Sequence, residues 1–78
     1  MEHRSVIALS ARDGPYRVIV EPWADEFQIE PGVRCQLVAL HPHLFPSFEV
    51  ELYQGVLIVY VNEGESTYEF YRGLVRES

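Results

Sequence analysis

Prolines at positions 15, 22, 31, 42 and 46 cut the first 46 residues into pieces too short for a typical globular helix, because each proline removes a backbone donor and fixes its own φ. No stretch between or after them repeats apolar residues at the three-and-four spacing of an amphipathic helix. The chain alternates with a period of two instead. Short runs rich in Val, Ile, Leu, Tyr and Phe are separated by Gly, Pro, Asn and Asp, the pattern of strands in an all-β domain.

Taken in order, RSVIAL (4–9) and PYRVIVE (15–21) are expected to be strands. Asp13-Gly14 between them predicts an N-terminal hairpin. PWADE is a connector, and EFQIE (26–30) sets Phe27 and Ile29 against Gln28 before the Pro31-Gly32 turn. RCQLVAL (34–40) is apolar on both faces, as a central strand should be. FEVELY (48–53) alternates cleanly, with Phe48, Val50 and Leu52 expected on the core face and Glu49, Glu51 and Tyr53 in solvent. Gln54-Gly55 then turns the chain into VLIVYV (56–61), whose two apolar faces place it in mid-sheet or at an interface. NEGES should close a further hairpin into TYEFYR (67–72), with a short last strand near Leu74 and Val75. The expected fold is all-β, a small antiparallel sandwich or partly open barrel of six to eight short strands, largely a meander.

Seventy-eight residues form a single β-domain near the size at which one core only just offsets chain entropy, so self-association into a homo-oligomer is expected. The one cysteine, Cys35, excludes an intramolecular disulfide and reads as a small buried hydrophobe. The longest apolar run, 56–61, is far too short for a membrane span, and MEHRSVIALS lacks the apolar length of a signal peptide. A cytoplasmic location is the expectation. Charge is unevenly spread: residues 18–71 hold nine acids, Glu21, Asp25, Glu26, Glu30, Glu49, Glu51, Glu63, Glu65 and Glu69, against Arg34 alone. Such a surface repels nucleic-acid phosphates and anionic membranes and suits basic proteins or cations.

Three residue groups are candidates for function. His41 and His43 stand two apart in HPHLFPSF, so on a strand they would project from one face and could, with Glu49, hold a transition metal. The series Gly32, His41, His43, Glu49, Gly55 resembles the first motif of the cupins, which implies a small β-barrel metalloprotein; His3 could stand in as a third ligand only if the N-terminal strand pairs nearby. Five residues separate His43 from Glu49, no histidine follows His43, and Pro42 and Pro46 interrupt any ladder. The competing reading is a proline-rich loop. Glu49 and Glu51 would have Cα atoms roughly 6.5–7 Å apart, a spacing that overlaps paired glycosidase carboxylates but also fits any solvated strand face. The chain is too short to build a deep cleft around them.

Trp23, Tyr53 and Tyr71 fall at connector or outward positions, while Phe27, Phe48, Tyr68 and Phe70 fall toward the core. Together with Glu49 and Glu51, the outward aromatics make an interaction patch for a protein partner or for self-association. Alternatively, they cover sheet edges. EPWADEFQIEPG (21–32) resembles a segment of small bacterial proteins without assigned function, which implies a bacterial β-domain and carries over no functional residue. No phosphate loop or nucleophilic triad is present. The expected function is that of a small acidic, non-catalytic interaction module, of which an inhibitor-like or immunity-like protein is a specific form. The alternatives are a minimal cupin-like metal binder and a carbohydrate-binding module that uses Trp23 and the tyrosines.

Overall fold

The structure, a computed structural model, describes residues 2–78 and contains eight strands with no helix among them. They are β1 (His3–Leu9), β2 (Tyr16–Glu21), β3 (Asp25–Ile29), β4 (Cys35–His41), β5 (Phe48–Tyr53), β6 (Val56–Val61), β7 (Thr67–Arg72) and β8 (Val75–Arg76). Two four-stranded sheets, ordered β1-β4-β7-β8 and β3-β2-β6-β5, pack face to face and do not close into a barrel. Among the described residues no helix is long and apolar enough to cross a membrane.

The strands match the sequence pattern closely, but their partnerships differ from a meander. The expected N-terminal hairpin does not form, because β1 pairs with β4 and β2 with β3 and β6, in opposite sheets. NEGES likewise carries the chain from one sheet to the other rather than closing a hairpin. True hairpins join β2 to β3, β5 to β6 and β7 to β8. The β2–β6 pair is parallel, which makes the second sheet mixed and sets Val20 beside Val59 and Glu21 beside Tyr60. A sandwich needs such crossings, since each sheet must bury one apolar face against the other.

Val18, Val20, Ile29, Cys35, Leu37, Ala39, Val59 and Phe70 have no exposed surface and form the core. β4 is central, as its doubly apolar sequence predicts: Val38 and Leu40 on its outer face are also buried. Phe70 and Phe27 stack between the sheets with centroids 4.0 Å apart and an interplanar angle of 9°. β5 departs from expectation. Val50 and Leu52 pair with Val59 and Leu57 on the inward side, yet they are 50% and 73% exposed, so the opposite sheet does not cover this edge strand.

Candidate functional site

Antiparallel and parallel registers together fix which loops meet. β2 and β6 run the same way, so the turn after β2 and the loop after β6 emerge at the same end of the sandwich. There they line an open cleft of about 230 Å³, built from Pro22, Trp23, Val61, Glu63, Gly64, Glu65 and Ser66. Val61 supplies the apolar floor, since it is the last inward residue of β6 and nearly buried.

Trp23 forms one wall. The Glu21-Pro22 peptide is cis, Ala24 has a φ of 61°, and the indole between them is 37% exposed. Its inner side rests on Tyr68, with centroids 4.7 Å apart and planes tilted by 45°. Tyr68 is in turn edge-on to Phe27 and donates its hydroxyl hydrogen bond to the Asp25 carboxylate. Burial, followed by that hydrogen bond to a carboxylate, pushes the Tyr68 pKa up to about 12. The indole is therefore backed by a line of rings, Tyr68, Phe27 and Phe70, that runs into the core. A side chain held this way is set in place before any ligand arrives.

The other wall is the 62–66 loop, where Glu63 and Glu65 have φ values of 67° and 72°. Three contacts hold this strained loop. Glu63 accepts from the Ser47 amide at 2.9 Å and from its hydroxyl, Ser66 donates to the Asn62 carbonyl, and His41 bonds the Gly64 carbonyl at 2.8 Å. Because His41 Nδ1 accepts the amide hydrogens of His43 and Leu44, at 3.0 and 3.2 Å, the ring hydrogen sits on Nε2 and donates to Gly64. Among the described residues this imidazole is the only buried polar or charged side chain.

That geometry redefines HPHLFPSF. Both His41 nitrogens are committed to backbone groups, while the His43 ring lies 6.1 Å away by centroid and, like Glu49, is exposed. His3 pairs in register with His41 and meets Phe45 edge-on at 4.8 Å; its Nδ1 is buried without a hydrogen-bond partner. Among the described residues no three His, Cys, Asp or Glu side chains gather with metal-binding geometry, so His41, His43 and Glu49 do not assemble as ligands. Residues 42–47 are the loop that joins the two sheets, with His41 closing β4 and Phe48 opening β5.

The five residues expected to form a partner patch lie on separate surfaces. Trp23 is at the cleft; Glu49, Glu51 and Tyr53 project from the outer face of β5; Tyr71 lies on the outer face of the other sheet, donating to Glu69 at 2.6 Å. Glu49 and Glu51 are exposed, and neither lines the cleft. Glu63, Glu65 and Ser66 complete the cleft and were not singled out by sequence. The one available signal was a five-residue acidic connector where two residues would have sufficed for a hairpin.

The cleft end is acidic. Glu21 and Asp25 flank it beside Glu63 and Glu65, and no base is among its lining residues. The three ion pairs among the described residues, Arg17–Glu26, Arg72–Glu77 and Arg76–Glu69, involve none of these four carboxylates. No protein-family model matches the chain, and no curated protein or solved structure matches it.

Proposed function

We propose that this protein is a small non-catalytic binding module that captures a basic protein partner at the Trp23 cleft. The observation that carries this reading is a fixed, partly exposed indole in a cleft whose rim includes Glu63 and Glu65, with no base among the lining residues. A guanidinium or ammonium group entering there would meet the ring face and the Glu65 carboxylate together, and both attractions strengthen as water is displaced. The volume favours an anchor over a substrate. At about 230 Å³ the cleft falls below the roughly 300–1,000 Å³ of small-molecule sites. One arginine or lysine side chain suits it better.

The test is recovery of partners on immobilised protein from extract of the producing cells, at low and high salt. The expected partner is basic, is released as salt rises, and is lost from Trp23→Ala and Glu65→Lys proteins. Retention that ignores both salt and the Trp23 substitution would sink the proposal. Release by soluble sugars rather than by salt would favour the carbohydrate reading instead.

A further inference from the structure

The two long edge strands lie on the same flank of the sandwich. Counting outward from the Phe27–Phe70 stack, β3 faces β7, β2 faces β4 and β6 faces β1, which leaves β5 projecting one strand beyond β1. Two observations agree with this. The Ser5 hydroxyl donates to the Pro46 carbonyl at 2.6 Å, holding the approach to β5 against β1, and the inward Val50 and Leu52 are exposed for want of an opposing strand. Phe45, 69% exposed, extends the same apolar margin. Both edges are long and unbroken: β1 and β5 have seven and six residues and contain no proline, and their outward charges are Arg4 on one and Glu49 and Glu51 on the other.

We propose that the occupant of this overhang is a second copy of the chain, joined as a lap joint about a two-fold axis parallel to the strands. In that arrangement the β5 edge of each copy adds to the β1 edge of the other, and the two Val50–Leu52 faces pack on one another. The hydrogen bonding is parallel, because β1 and β5 both run opposite to β4 and β6. Charge selects this arrangement. The outer face of β5 is acidic through Glu49 and Glu51, whereas β1 carries Arg4 at the matching end and no acid from His3 to Leu9. Pairing β5 antiparallel with β5 of the other copy would set Glu49 opposite Glu51 and leave Val50 and Leu52 exposed. Only the crossed joint covers the apolar faces, opposes unlike charges and closes at two subunits. This inference uses none of the cleft residues and stands apart from the function proposed above.

Sedimentation equilibrium of the full chain across a wide concentration range tests it, with circular dichroism confirming that each variant is folded. The expected result is a dimer that Leu52→Glu, Arg4→Glu and Glu49→Arg each weaken by about tenfold or more. Combining Arg4→Glu with Glu49→Arg should restore affinity to near the native value, because the pair is merely exchanged. A chain monomeric at every concentration overturns the proposal. So does a dimer indifferent to Arg4→Glu, or one tightened by Glu49→Arg alone, which would mark β5 pairing with itself.

Discussion

His41 donates from Nε2 to the Gly64 carbonyl at 2.8 Å while its Nδ1 accepts two amide hydrogens from the following loop, so a single imidazole joins the end of β4 to the rim of the Trp23 cleft. Removing the ring strands three backbone groups at once. His41→Ala is expected to lower the unfolding free energy by about 2–4 kcal/mol, read from urea denaturation. Nitrogen NMR shifts of His41 at neutral pH should report hydrogen on Nε2. An unchanged denaturation midpoint in the variant would remove His41 from its role as the tie.

The β5–β6 hairpin turns on Gln54 and Gly55, with φ values of 49° and 79°. Both central residues are left-handed, which is the type I′ turn that favours Asn-Gly. Gln54 is exposed, so a shorter polar side chain there gives up little packing. Gln54→Asn should therefore raise stability by about 0.5–1 kcal/mol in thermal melts. Gly55→Ala should lower it by a similar or larger amount.

Tyr68 gives the molecule an alkaline limit. Its folded pKa, pushed up to about 12 by burial and then by the Asp25 carboxylate, lies above the ordinary tyrosine value near 10. Below about pH 10 the phenol is protonated in both folded and unfolded chains and its contribution is complete. Between about 10 and 12 the unfolded chain ionises first, and stability falls. Tyrosinate absorbance should show one of the five tyrosines titrating near pH 12, absent from Tyr68→Phe, whose alkaline loss of stability is correspondingly smaller.

Cys35 has no exposed surface, and burial pushes its thiol pKa up while Arg72, with Nη1 3.8 Å from Sγ, offsets part of that rise. Alkylation then requires the sandwich to open. Labelling of the native protein should be slower than that of the denatured chain by several orders of magnitude, accelerating with denaturant as opening becomes easier. Rapid native labelling would show that the β4–β7 side of the core opens locally.

Local chemistry made the strands legible and distant pairing hid their arrangement. The alternation in FEVELY, the Gln54-Gly55 turn and the doubly apolar β4 and β6 segments locate their elements almost to the residue, since side-chain period and turn preference are properties of neighbours. Asp13-Gly14 misled for the same reason. It favours a tight turn, but nothing local states that the strands on either side serve different sheets. Trp23 was legible as an exposed aromatic because Pro22 and Ala24 isolate it from a strand. Its meeting with Glu63, Glu65 and Ser66 was not, because the parallel β2–β6 register brings those loops together and leaves no mark in either segment. His41 shows the opposite error: ligand spacing was real in sequence, and backbone groups took both nitrogens.

The parallel β2–β6 pair also bears on when the molecule becomes competent. Parallel neighbours cannot zip up from a turn, and here three intervening strands must be laid out before the two can join. The walls of the cleft, one following β2 and the other following β6, are thus strangers until those two strands have joined. A chain halted at its hairpins displays Trp23 and the acidic loop but has no cleft between them. Recognition at the proposed cleft would accept finished molecules and pass over incomplete ones, so the register that joins β2 to β6 serves also as a certificate of the fold.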